Sequence, residues 1–288
     1  MNFLALLLGL TVERMLAHLL HLRHHGLLAS IVGMMLRAFT ALGLGHWFAL
    51  VLTVLLMVAP VAVAQWALGA ALHGLPGLIF AVVVLVYVLG PDDLESQVDG
   101  YLGALEAGDR TEADRFGTLL LESPLPVETA SRVRALSEAV LIQANNRLFS
   151  IIFWFALLGP AAAWAMRVAD VARHPVGEDP GDGEGARLAA RFHGLAAWLP
   201  SRLVSVGYAL AGSFQDAVAA WRAFYEVTRG HFLEMNNAVI ACTGCGALNL
   251  GPGVDESRAL REALSLVSRT LVIWLVFIAL MTLTGVLV

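Results

Sequence analysis

The chain contains no lysine: all 18 basic residues among its 288 are arginine. That absence excludes a Schiff-base lysine, a Walker lysine and a kinase-type lysine, so nucleotide chemistry here would have to use arginine, backbone amides or a metal. Charge of either sign is scarce, at 14% of residues, against about 25% in an ordinary soluble domain. Hydrophobic residues make up 58%, and the mean hydropathy is +0.74. So few charges cannot cover the surface that 288 residues leave exposed, which makes lipid the expected solvent. A net charge of -5 provides no basic stripe for phosphates, so no nucleic-acid partner is expected. Two cysteines, Cys242 and Cys245, are too few for a disulfide framework.

What is present is a series of long apolar runs. Trp47–Leu72, Leu148–Met166 and Leu271–Val288 each approach the roughly 20 apolar residues that cross about 30 Å of hydrocarbon. Leu75–Leu89 is shorter but continuously apolar, and only His73, Gly74 and Pro76 separate it from the preceding span, so residues 47–90 read as a transmembrane hairpin. Pro60 and Pro160 fall inside spans and suggest kinks. The expected fold is an all-α, polytopic helical membrane protein of four to six spans, with a helical aqueous insert and a broken or re-entrant membrane segment.

The remaining boundaries follow from changes in composition. Residues 1–46 form an N-terminal amphipathic or membrane helix followed by a His-rich loop, and Phe3–Leu22 lacks the basic start and cleavage site of a secretory leader. Residues 91–147 carry eleven acidic residues and five arginines with helical periodicity, with Leu94, Val98, Tyr101 and Leu105 on one face. They read as an aqueous helical insert leading to the span at 148–166. Residues 167–270 form a second aqueous region. It holds a Gly-, Pro- and acid-rich mobile loop at 174–186 and a membrane segment at 188–214 that Pro200, Ser201 and Arg202 interrupt. A C-terminal span occupies 271–288. Arginines flank the spans on both sides, so the charge distribution leaves orientation open.

Several constellations could carry chemistry. Glu13 and Arg14 interrupt an apolar helix, where a charged pair is either a structural ion pair or part of a site. His21 and His25 sit four apart on one helical face, with His18 three before His21, and could grip zinc or a related metal together with a third ligand such as Glu13 or His46. Otherwise they are interfacial polar residues. Cys242-Thr-Gly-Cys245 has the spacing of a redox dithiol or half a zinc site, or is a pair of half-buried cysteines in a Gly-rich turn. The run Gly244–Gly253 lacks the strand and lysine of a phosphate-binding loop and reads as a turn before the last helix. Asp92, Asp93, Glu95 and Asp99 could hold Mg²⁺ or simply start a helix.

Two blocks have a more specific look. NNRLFSIIFWFALLGPAAAWAMRVAD, with Arg147, Phe153, Trp154, Gly159 and Pro160, precedes WLPSRLVSVGYALAG, with Trp198, Pro200, Arg202, Tyr208 and Gly212. Together with the order of the surrounding segments, they resemble the AmpE family over nearly the whole chain. The resemblance implies a multi-pass protein of the bacterial inner (cytoplasmic) membrane, a signalling modulator of β-lactamase induction in the antibiotic response. It also implies a functional link to an AmpD-type amidase of peptidoglycan recycling.

A more distant resemblance is to the cobalamin-biosynthesis family CobD/CbiB, which forms an amide bond with ATP. Its ESVAENTVDGVLAPLFW pattern places one acid on Glu138, whereas Ile142, Gln143 and Asn146 stand at its other polar positions. The sequence therefore leaves three readings: a membrane sensor or modulator, an amide (C-N) ligase using ATP and Mg²⁺, and a small-molecule transporter. Beyond membrane lipid, the partner expected under the first is an envelope-derived small ligand. Its site is expected beside Arg202 as anion anchor, with Arg147, Glu138 and Asn146 near the opposite helix.

Overall fold

A computed structural model describes residues 2–16, 26–69, 75–89, 94–173, 183–227, 235–251 and 253–285. Among the described residues all regular structure is helical, and the helices fall into two compact units. One comprises residues 1–91, 150–197 and 278–288; the other comprises 92–149 and 198–277. Among the described residues, four stretches are long and apolar enough to cross a membrane: His46–Gly69, Leu75–Glu106, Thr129–Leu158 and Glu256–Leu283.

In the first unit, α1 (Asn2–Leu16) buries Ala5 and Leu6. Its Gly9 lies so close to α4 (Leu75–Leu89) that a Cβ there would fall 2.6 Å from Leu85 Cδ2. The sequence reading placed no helix at α2 (Gly26–Ala41), yet Leu28 and Val32 pack there with Leu50, Val168, Ala172 and Ala189. Helix α3 (His46–Gly69) passes through Pro60 without ending. Pro60 offers no N–H to Leu56 O four residues before it, and at the neighbouring carbonyl the Trp164 indole N–H donates to Met57 O at 2.9 Å. The hairpin expected from the two apolar runs corresponds to α3 and α4.

In the second unit, α5 (Leu94–Glu106) and α6 (Arg110–Leu121) meet where Gly100 faces Phe116. Val98 and Tyr101 are fully buried, as the stripe of the insert requires. Asp109 caps α6 by accepting the Glu112 N–H at 3.1 Å. Arg132 fixes the next helix, α7 (Thr129–Ala144), by donating to Pro126 O and Asp114 Oδ1.

Three expectations need correction. The run 148–166 is not one kinked span. Helix α7 continues through a π-helical turn, π1 (Asn145–Phe149), into α8 (Ser150–Leu158), and the chain breaks at Gly159 before α9 (Pro160–Ala172). Gly159 has φ +85, a left-handed conformation that a side chain would resist, and Pro160 then starts a new helix. The two backbone groups beside the break are taken up by Gln65 of α3. Its Nε2 donates to Leu158 O at 3.2 Å, and its Oε1 accepts the Ala161 N–H at 2.9 Å.

Secondly, Pro200 does not break its segment, because α10 runs from Gly183 to Ala211 through it. The carbonyl that Pro200 cannot serve is Ala196 O, and the Trp154 indole N–H donates to it at 3.1 Å. Thirdly, the CTGC run is not in a turn. After α11 (Phe214–Val227), helix α12 (Asn236–Leu248) includes Cys242, Cys245, Gly244 and Gly246, and the chain turns only at Asn249. The glycines permit close helix packing. A Cβ on Gly244 would fall 2.6 Å from Leu141 Cδ1, and one on Gly246 would fall 2.8 Å from Asp216 O. Helix α13 (Glu256–Leu283) contains the described part of the expected C-terminal span.

Candidate functional site

The second unit holds four of the expected site residues, each with its own partners. Arg202 is buried on α10; its Nη1 donates to Ser201 Oγ and to Asn236 Oδ1 of α12, both at 2.8 Å. Its guanidinium carbon stands 5.5 Å from the centre of the Trp198 ring, within cation–π range. Arg147 belongs to π1. It donates to Gln143 Oε1 and to Gln97 Oε1 at 3.0 Å each, with Glu122 Oε1 at 3.9 Å. It therefore joins α5 and the end of α6 to the π turn. Glu138 accepts from Arg134 at 2.8 Å along the exposed side of α7. Asn146 is buried and accepts from Asn145 Nδ2 at 3.2 Å.

At the start of the π turn the Asn145 N–H is shared between Leu141 O and Ile142 O, its i−4 and i−3 carbonyls, as is common where a regular helical stretch ends. Tyr208, fully buried on α10, donates its hydroxyl to Leu141 O at 2.9 Å. The Phe149 ring at the end of the turn meets Tyr208 edge-on at 6.2 Å and Trp274 at 5.2 Å. Tyr208 and Asn236 were not picked out as polar partners from sequence. Their bonds run between positions 67 and 34 residues distant, so no local spacing signals them.

Of the other expected site residues, Glu13 lies on α1 in the first unit. The Arg14 side chain, His18, His21 and His25 lie outside the described residues, as do Asp92 and Asp93. Among the described residues, no group of three or more His, Cys, Asp or Glu converges to hold a metal. Cys242 and Cys245 are free thiols on one face of α12, and Cys242 Sγ donates to Ala220 O. Burial, reinforced by the Glu138 carboxylate, pushes Cys245 up to about 12 and raises Cys242 as well. Neither is an activated thiolate.

The first unit contains a cluster that sequence reading used only as flanking charge. Arg167, Asp170 and Arg173 follow one another at i, i+3, i+6 on α9. Asp170 accepts from Arg167 at 3.1 Å and from Arg173 at 2.8 Å, and His193 of α10 lies 3.6 Å away. Burial works to raise the Asp170 carboxyl, but Arg173, His193 and Arg167 together hold it below its ordinary value. The RxxDxxR spacing was available in the sequence; the His193 partner was not.

Apolar helices of membrane-crossing length, with polar and charged side chains tied together in their interior, define a helical membrane protein. It belongs to the AmpE family, described as "Regulatory signalling modulator protein AmpE", which matches residues 1–288. The chain is also similar to two proteins named "Cobalamin biosynthesis protein CobD". It is 28% identical over 200 residues to that of Chromobacterium violaceum, covering 69% of this chain and 62% of the relative. It is 27% identical over 205 residues to that of Stutzerimonas stutzeri, covering 68% and 63%. The chain thus spans less than two thirds of the length of either relative. No solved structure matches it.

Proposed function

We propose that this protein is a multi-pass modulator of the bacterial inner membrane that couples an envelope-derived, anionic small ligand to β-lactamase induction. It would work alongside an AmpD-type amidase of peptidoglycan recycling. The match to the AmpE family along the whole chain carries this reading. The ligand site is supported by Arg202. An arginine inside an apolar helical protein is costly, and such residues mark functional positions. Here the guanidinium is buried and oriented by Asn236, Ser201 and Trp198. A bound carboxylate or phosphate would compete with Asn236 Oδ1 for the same N–H groups and so loosen the tie between α10 and α12.

Deleting the gene should change β-lactamase induction or muropeptide levels. Arg202→Ala and Arg202→Gln, at normal membrane abundance, should reproduce the deletion. Unchanged induction and muropeptides in the deletion strain would defeat the assignment. A normal response in both arginine variants would defeat the site alone.

Similarity to the CobD proteins favours a second reading, an ATP-dependent amide-forming ligase. The residues do not fit its Mg²⁺–nucleotide requirement well. Ile142, Gln143 and Asn146 offer no carboxylate at the aligned positions, and Glu138 is engaged by Arg134. ATP binding with amide formation from a corrinoid acid would establish this reading in place of the first. Transport is tested by liposome flux.

A further inference from the structure

Helix α10 is amphipathic in the opposite sense from a helix on a water-soluble protein. From Leu195 onward its exposed residues are Leu195, Leu199, Leu203, Val206 and Leu210, with Phe214 just beyond its end. The polar side chains of the same stretch, Ser201, Arg202, Ser205 and Tyr208, are all buried. Charge returns to the exposed surface at Arg191 on one side and at Asp216 on the other. Water rewards the reverse arrangement, whereas acyl chains reward this one. The mean hydropathy of α10 hides the pattern because its inward polar residues offset the outward leucines, so α10 is absent from the four membrane-length apolar stretches.

Length and packing agree with this reading. Leu195 to Leu210 spans about 22 Å at about 1.5 Å per residue, and with Phe214 and the flanking charges beyond, this suits a hydrocarbon layer of about 30 Å. Within this stretch, between Val206 and Leu210, Gly207 sits against α13, one of those apolar stretches, so closely that a Cβ would fall 2.7 Å from Thr270 Cγ2. Small residues at such contacts let membrane helices approach.

We infer that α10 crosses the bilayer completely, as a membrane-spanning helix additional to those four stretches, with its Leu199–Leu203–Val206–Leu210 stripe occupied by lipid acyl chains. Arg202 then lies at membrane depth on the side turned away from lipid. The inference does not depend on what the protein signals.

The test uses the full chain in native membranes, with Cys242 and Cys245 replaced by serine and single cysteines introduced as Arg187→Cys, Asp216→Cys, Leu203→Cys and Val206→Cys. A membrane-impermeant maleimide is applied to right-side-out and inverted vesicles. Cysteines at 187 and 216 should label from opposite faces. Those at 203 and 206 should label at least about tenfold more slowly from either face, because an apolar setting suppresses the reactive thiolate. A spin label at 203 or 206 should be more accessible to oxygen than to a water-soluble nickel complex. Labelling of 187 and 216 from the same face would overturn the crossing. Fast aqueous labelling of both 203 and 206, with nickel accessibility exceeding that of oxygen, would overturn the lipid contact.

Discussion

Replacing Gln65 by leucine removes one donor and one acceptor from the place where α8 gives way to α9. The Gln65 side chain bridges that gap much as a peptide group would, donating to Leu158 O and accepting from the Ala161 N–H. A Cβ on Gly159 would lie 2.7 Å from Gln65 Nε2, so the break and the side chain fit closely together. Interhelical hydrogen bonds in membranes are worth about 0.6 to 2 kcal/mol each, and orphaning a buried backbone group costs about 1 to 3 kcal/mol. With two groups affected and the volume nearly kept, Gln65→Leu should cost about 1.5 to 4 kcal/mol. Gln65→Glu should be worse, because its second carboxylate oxygen would face the Leu158 carbonyl oxygen. Reversible unfolding of the full chain in mixed micelles measures both. A leucine variant within about 0.5 kcal/mol of the parent, the size of an ordinary surface substitution, would refute the bridge. A glutamate variant more stable than the leucine variant would do the same.

Tyr208→Phe removes the hydroxyl that serves Leu141 O while keeping the ring contact with Phe149, so a loss of about 1 to 2 kcal/mol is expected in the same unfolding assay. Asp170→Asn leaves Arg167 and Arg173 facing an amide and should cost about 3 to 5 kcal/mol, the usual penalty for breaking a buried ion pair. Asp170 has a depressed folded pKa. Its stabilisation is therefore present above the unfolded carboxyl value and lost as pH falls through the folded one, and unfolding of Asp170→Asn should show a flatter acid limb. For Cys245, whose ordinary value near 9.0 is raised to about 12, the unfolded chain releases its proton first. Stability should therefore fall as pH rises through that interval, and Cys245→Ala should remove that part of the loss. Alkylation of Cys245 at neutral pH should be slow until the protein is unfolded.

Sequence legibility followed the range of the interaction. The runs that became α3, α4 and the apolar half of α13 are local and one-dimensional. The stripe through Val98 and Tyr101 was readable for the same reason. Helix α2, GLLASIVGMMLRAFTA, has 16 residues, short of the roughly 20 that cross a bilayer, and its apolar face packs partly on Val168, Ala172 and Ala189 far along the chain. The glycines of the CTGC run suggest a turn by composition, yet the run is helical. Their role is to admit Leu141, Tyr208 and Asp216, which is visible only once α7, α10 and α11 are in place. At the candidate site, Arg202 could be chosen from sequence as an unusual charge in an apolar stretch. Asn236 and the stabilising hydroxyl of Tyr208 could not, since each acts from a different part of the chain.

The irregular points of the membrane helices follow one rule. The freed carbonyl before Pro200 takes the Trp154 indole, Met57 in the turn before Pro60 takes that of Trp164, the break at Gly159 takes the Gln65 amide, and Leu141 O at the π turn takes the Tyr208 hydroxyl. A proline, glycine or widened turn is commonly read as a hinge. With a backbone group bonded to a side chain of a neighbouring helix, each is held in one geometry instead, because moving it would give up that bond with no water to replace the partner. A signal is therefore least costly to transmit where side chain meets side chain, since a ligand can exchange one partner there without exposing backbone. The Arg202–Asn236 bond between α10 and α12 is such a place. Under the proposed binding of an anionic ligand at Arg202, the α10–α12 tie, more than any proline or glycine, is where that binding should first be felt.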